Sequence, residues 1–159
     1  VGDSAGGNIL ALFCTLCTNP QFSNNFHFKA PKGFVPKAVA LNCGVYDIDL
    51  AIKGQSNTSE LIGDIFQNGG TKQELKLASP LYYINEKFPP CFIMTSNEDF
   101  LKDQPKPLME TLDKFGVPYE YQFYGTEEVT LYHVFHLDIR KEEAVLCNNE
   151  ECAYFQKFL

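Results

Sequence analysis

A chain of 159 residues, 45% of them hydrophobic and 14% aromatic, has enough apolar side chain to bury one core, so a single domain is expected and a disordered chain is excluded. The formal net charge of −7 argues against nucleic acid and anionic membrane surfaces, because neutralising phosphates needs clustered Lys and Arg and no basic stripe occurs. No apolar run approaches the about 20 residues of a membrane-spanning helix, so no membrane span is expected.

The first eight residues, Val1-Gly2-Asp3-Ser4-Ala5-Gly6-Gly7-Asn8, hold a G-x-S-x-G pentapeptide followed by an apolar run over residues 9–16. In an elbow of that pattern the serine sits on a sharp strand-to-helix turn with its hydroxyl exposed at the top of a sheet, which makes Ser4 a candidate nucleophile. A side chain at Gly2 or Gly6 is expected to collide with the neighbouring strand or helix. The plainer reading of the same residues is a glycine-rich helix start with a serine N-cap. The choice between them turns on whether an acid and a histidine follow. An elbow also requires a buried strand before it, and Val1 is not an initiator methionine, so the chain reads as part of a longer one.

Residues 8–18 read as a helix stopped by Asn19-Pro20, and residues 21–36, rich in Phe, Asn, Lys and Pro, as a loop in which His27 is a surface or packing residue. Residues 37–43 form a short continuous apolar run, the pattern of a strand buried on both faces, closed by Gly44. Residues 46–79 turn polar and glycine-punctuated. The stretch is too long for a plain connection, which predicts a cap or lid insertion with a short helix near residues 59–67 and a helical turn at 71–77.

Ser79-Pro80-Leu81 then leads through Phe88-Pro89-Pro90 into a second buried strand at residues 91–96. That strand ends in Asn97-Glu98-Asp99, the edge at which open α/β sheets place functional groups. Residues 105–115 read as a helix with Leu108, Leu112 and Phe115 on one face and Gly116 as its stop. Residues 118–124 alternate aromatic with polar and read as a third strand near an edge. A loop at 125–131, the run Tyr132-His133-Val134-Phe135-His136 and an amphipathic helix over 141–158 complete the chain. Strands alternating with helices specify the α/β class, a parallel sheet flanked by helices and joined by right-handed crossovers.

Of the six cysteines, Cys14 and Cys17 form a C-x-x-C, but inside an apolar helical run with no second ligand pair nearby, so no metal site is expected. Cys43 and Cys91 read as small core residues, and Cys147 and Cys152 flank a polar tetrapeptide. Six free thiols favour a reducing, cytoplasmic setting.

Ser4, then Asp99, then His133 is the chain order of the α/β-hydrolase triad. The chemistry needs a hydroxyl deprotonated by an imidazole, a carboxylate holding that imidazole in one tautomer, and donors for the oxyanion. Gly2-Asp3-Ser4-Ala5-Gly6-Gly7-Asn8 resembles the elbow of the hormone-sensitive-lipase-like esterases of the α/β-hydrolase superfamily. Pro89-Pro90-Cys91 through Asp99-Phe100-Leu101-Lys102-Asp103 resembles their strand followed by D-x-L-x-D, His133-Val134-Phe135 resembles their H-x-F, and Ser79-Pro80-Leu81 is also family-like.

The resemblance implies the C-terminal part of an α/β-hydrolase fold, with Ser4 as nucleophile, Asp99 as acid, His133 as general base and acid, and the Ala5 backbone N–H as an oxyanion donor. Glu98 or Asp103 remain alternatives for the acid, and His136 for the base. The D-x-L match favours Asp99, and Asp103 suits a helix N-terminus. The family's H-G-G-G segment is absent, and Tyr132 stands where relatives often have a small residue.

By resemblance the activity is hydrolysis of short or medium acyl esters, with a small-molecule ester as partner and neither cofactor nor metal. A sheet edge left open at Val1 would need cover, from an oligomer or otherwise. The rival readings are a ligand-binding protein, since the family includes hormone receptors lacking the histidine, and a flavodoxin-like module. The second would need cations near residues 2–7, and none is there.

Overall fold

The computed structural model describes residues 1–34, 36–53 and 64–159. Its sheet is parallel and has four strands lying in chain order, β1 (Gly2–Asp3), β2 (Val39–Asn42), β3 (Cys91–Ser96) and β4 (Tyr119–Tyr124). The helices are α1 (Ala5–Thr18), α2 (Pro20–Ser23), α3 (Ile48–Lys53), α4 (Lys72–Leu77), α5 (Pro105–Phe115) and α6 (Glu142–Gln156), with 3-10 turns at Pro80–Tyr82 and Phe135–Leu137. None of the described helices is long and apolar enough to cross a membrane.

Every residue of β2 and β3 is buried, which is why both read as unbroken apolar runs. The period of two then sorts their side chains into two cores. Val39, Leu41, Cys91 and Ile93 face Ala11 and Cys14 of α1 and Leu108 and Leu112 of α5. Ala40, Phe92 and Met94 face Ala144, Cys147 and Tyr154 of α6. The register aligns Leu41 with Ile93 and Ile93 with Tyr121, and it brings the C-terminal ends of the strands to one edge. The segments after β1, β3 and β4 therefore meet there.

Several expectations shift. The helix expected from residue 8 begins at Ala5, directly out of the elbow. Part of the expected loop at 21–36 is helical, because Asn19-Pro20 stops α1 and also starts α2: the Asn19 side chain accepts from Phe22 N at 3.1 Å, and Pro20 occupies the first turn. α4 opens with a Thr71–Glu74 capping box. The helix expected near residues 59–67 lies largely outside the described residues.

α6 is less amphipathic than its sequence suggested, since Val145 and Leu146 are exposed while Glu151 is buried in the stripe with Ala144, Cys147 and Tyr154. Buried Gln104 fastens the segment after β2, accepting from Tyr46 N and Asp47 N at 2.8 and 2.9 Å and donating to Asp47 O at 2.9 Å.

Candidate active site

Ser4 joins β1 to α1 with φ 54° and ψ −120°, a backbone conformation that non-glycine residues rarely adopt. Its N–H donates to Asn42 O at 2.9 Å and its carbonyl accepts from Asn8 N at 3.2 Å, so β2 and the first turn of α1 hold the bend. A Cβ on Gly2 would lie 2.4 Å from Gly6 O, which makes glycine obligatory there. A Cβ on Gly6 would meet nothing within 4 Å, so the collision expected at that position does not occur.

Ser4 occupies the N-cap position, yet its hydroxyl makes no capping hydrogen bond. The Oγ lies instead 2.8 Å from His133 Nε2. As the first residue of α1, Ala5 presents a backbone N–H with no intrahelical acceptor, beside that hydroxyl.

Asp99 is 1% exposed, in the turn after β3. Its Oδ1 accepts from His133 Nδ1 at 2.7 Å and from Leu101 N at 2.9 Å, and its Oδ2 accepts from Thr95 Oγ1 at 2.7 Å. Burial pushes its pKa up, but the donors from His133, Leu101, Thr95 and the Cys43 thiol together outweigh burial and hold it below the ordinary carboxylate value. Asp99 is therefore a carboxylate at neutral pH.

His133 is positioned by the loop that follows β4, which is fastened to the end of β3 and the segment after it. Glu98 pairs in parallel with Tyr132, Glu98 N donates to Leu131 O at 3.1 Å, and Ser96 Oγ donates to Tyr132 O at 3.2 Å. Asn97 clips the same loop, accepting from Leu131 N and donating to Thr126 O and Val129 O. The Phe100 ring lies over the imidazole, with centroids 4.3 Å apart. A cavity of about 610 Å³ opens beside His133, lined by Tyr132, Leu137, Ile139 and Arg140 among others.

Ser4, His133 and Asp99 thus form one hydrogen-bonded chain. The alternatives lie elsewhere. Glu98 and Asp103 are exposed, and His136 turns its Nε2 to Asp3 Oδ1 at 2.6 Å. His27 is exposed. Thr95, Asn97 and Phe100 were missed from the sequence. Thr95 carries no signal apart from standing four residues before Asp99, whereas Asn97 stands two residues before it and Phe100 directly after it.

Cys43, Asp99 and His133 bring one potential ligand atom each within 4.8 Å of one another. That set suits a proton relay better than a cation. Burial and then the Asp99 carboxylate push the Cys43 thiol far above its usual pKa, and both imidazole nitrogens are already engaged. In the C-x-x-C, burial pushes the Cys14 thiol up to about 12.

A family model described as the alpha/beta hydrolase fold matches residues 1–137. Among solved structures, esterase B from Lactobacillus rhamnosis aligns with a TM-score of 0.83 at 21% identity, covering 99% of this chain and 51% of that one. The same esterase inhibited with a tributyrin phosphonate gives 0.81 at 22% identity, covering 99% and 50%. A carboxylesterase from Lactobacillus plantarum WCFS1 gives 0.73 at 16% identity, covering 97% and 56%. The chain spans about half the length of these esterases, and at such identities the likeness is one of fold. No curated protein sequence matches at a significant level.

Proposed function

The chain belongs to the hormone-sensitive-lipase-like family of the alpha/beta hydrolase fold, and from that premise we propose that it carries the Ser4–His133–Asp99 triad of a serine carboxylesterase. The observation that supports this most directly is the unbroken hydrogen-bonded chain from Ser4 Oγ through His133 Nε2 and Nδ1 to Asp99 Oδ1, at 2.8 and 2.7 Å.

In this reading Ser4 Oγ attacks the ester carbonyl while His133 Nε2 takes its proton. Asp99 keeps the remaining N–H on Nδ1 and stabilises the imidazolium that forms. The Ala5 N–H donates to the oxyanion, at the positive end of the α1 dipole. Collapse of the tetrahedral intermediate breaks the ester C–O bond, and the imidazolium protonates the departing alcohol. A water deprotonated by His133 then attacks the acyl-enzyme, the bond to Ser4 Oγ breaks with its proton restored, and the acid leaves. Each step is acid–base and nucleophilic, and every proton shuttles through His133.

We assign short to medium acyl esters as substrates. The tributyrin phosphonate inhibiting esterase B supports that choice by analogy, as does a cavity of about 250 Å³ whose wall combines apolar Leu50, Ala51, Phe100 and Leu101 with polar Lys53, Asp103 and Gln104. Residues 46–79, which contribute α3 to that cavity, serve as the cap over a single partial α/β-hydrolase domain.

The test is hydrolysis of p-nitrophenyl acetate and butyrate by the intact gene product and by its Ser4→Ala variant. The variant should lose turnover by about 10³-fold or more. Equal rates in the two would end the esterase reading and leave ligand binding in its place.

A further inference from the structure

Three residues beyond His133 lies His136, 4% exposed, and its partner Asp3 immediately precedes Ser4. One hydrogen bond of 2.6 Å therefore ties the loop carrying the imidazole to the residue that leads into the elbow. The intervening segment is short and stiff: Val134 is held at φ 51°, and Phe135–Leu137 is a 3-10 turn. Fixing His136 thus fixes His133.

The tie is braced on both sides. Asp3 Oδ1 also accepts from Asn42 Nδ2 at 3.2 Å, and Asn42 Nδ2 donates to Glu151 Oε2 at 2.7 Å. The Asn42 carbonyl receives the Ser4 N–H, and the His136 carbonyl receives Asn148 Nδ2 at 2.9 Å. Elbow, β2, α6 and the histidine loop are joined in this one network.

Among the described residues, His136 Nδ1 is buried without a hydrogen-bond partner. A buried polar atom without a partner destabilises the fold, a cost that an apolar side chain filling the same space would avoid. Packing alone therefore gives no reason for an imidazole here, whereas its Nε2 contact with Asp3 does.

We propose that Asp3 and His136 form a positioning clasp that sets the Ser4–His133 distance for acyl transfer. The proposal rests on the triad reading above. His136 touches neither nucleophile nor substrate and acts through the placement of His133. Misplacing a reacting group by about 1 Å costs on the order of 10²-fold in rate.

The experiment compares His136→Leu, His136→Gln, Asp3→Ser and the Asp3→Ser/His136→Gln double variant in the intact gene product. It reads kcat and KM on p-nitrophenyl butyrate together with the low-field proton resonance of the His133–Asp99 hydrogen bond. The leucine side chain removes the donor, whereas the glutamine amide can reach Asp3 as Nε2 does. Asp3 is 34% exposed, so Asp3→Ser, whose hydroxyl is one bond shorter than the carboxylate, withdraws the acceptor from His136 Nε2 without opening a core cavity and carries the test if His136→Leu prevents folding.

The clasp predicts that His136→Leu and Asp3→Ser lower kcat by about ten- to a hundredfold with KM little changed and shift or broaden the resonance. His136→Gln should stay within about threefold of the parent, and the double variant should be no worse than Asp3→Ser. Unchanged kcat and resonance in His136→Leu or Asp3→Ser would overturn the clasp, as would His136→Gln as damaging as His136→Leu, or additive losses in the double variant. A parent protein without Ser4-dependent hydrolysis whose resonance still moves in Asp3→Ser would sink the esterase reading and keep the clasp.

Discussion

Replacing Asp99 by Asn removes one charge at nearly constant volume, so its outcome can be worked from the hydrogen bonds. Oδ1 accepts from both His133 Nδ1 and Leu101 N, whereas Oδ2 accepts from the Thr95 hydroxyl. A hydroxyl can turn from donor to acceptor and a backbone N–H cannot, so the amide NH₂ should settle against Thr95. The opposite orientation would set two donors against each other at Leu101. In the favoured orientation the hydrogen bonds to His133, Leu101 and Thr95 survive and folding loses only about 1 kcal/mol.

The His133 tautomer also survives, with its proton on Nδ1, so the loss falls on stabilisation of the imidazolium. Taking the difference between a charged and a neutral acceptor in a buried site as about 3–4 kcal/mol, kcat should fall by about 10²–10³-fold. Ester hydrolysis measures this directly, with the exposed Glu98→Gln and Asp103→Asn as controls that should be neutral. A loss in Asp99→Asn below about tenfold would refute Asp99 as the acid, and a loss near 10⁴ would show that the amide had turned and trapped the wrong tautomer.

The pH dependence follows in sign. The folded-state pKa of Asp99 lies below its ordinary value. Its contribution to stability is therefore complete above the unfolded pKa of about 3.9 and is lost as pH falls through the lower folded value. The gap in unfolding free energy between parent and Asp99→Asn should narrow on acidification across that range and stay flat near neutrality.

At the elbow, Gly2→Ala forces a Cβ to 2.4 Å from a backbone oxygen and should destabilise by about 1–3 kcal/mol in thermal or urea unfolding. Gly6→Ala meets open space and should change stability by less than about 1 kcal/mol; equal effects at the two positions would contradict the elbow packing. Burial pushes the Cys14 and Cys147 thiols up to about 12 and raises Cys43 and Cys91 as well, while Cys152 is exposed. A thiol reagent at pH 8 should therefore label Cys152 first and reach the buried four only on unfolding, and fast native labelling of Cys14 or Cys43 would show that the core opens.

The parts legible in the sequence are those whose causes are local. α5 runs from Pro105 to Phe115 because proline fits the first turn and Gly116 ends the helix at φ 67°. β3 was legible because six buried residues in a row leave an apolar signature. That Ser4, Asp99 and His133 come together could be expected because each lies in the segment after the C-terminal end of a strand, an edge to which the parallel topology brings distant segments. The clasp was not, since Asn42 meets Glu151 across 109 positions and nothing local marks Glu151 as a buried residue of α6. Gly6 was misread because the elbow motif does not say which of its glycines faces backbone and which faces open space.

The distribution of strain accounts for why this site stays assembled. Among the described residues three non-glycines have positive φ, namely Ser4, Cys43 and Val134. Each such conformation costs about 1–3 kcal/mol and persists only where the surroundings over-determine it. Ser4 follows β1, Cys43 follows β2 and Val134 follows His133, so all three lie where the strands deliver the site.

They are also joined. Ser4 N bonds to Asn42 O and Cys43 N to Met94 O, both at 2.9 Å. The Cys43 thiol lies within 4.8 Å of Asp99 and His133. Relaxing any one of the three would strain the hydrogen-bonded chain Ser4–His133–Asp99. What opposes relaxation is the pair of cores on either side of β2 and β3, where fully buried Leu41, Ile93, Leu108 and Leu112 each contribute about 1.5–3 kcal/mol. The precision of the site is thus a property of the sheet, and core substitutions in β2 or β3 should act on Ser4 geometry before they unfold the chain.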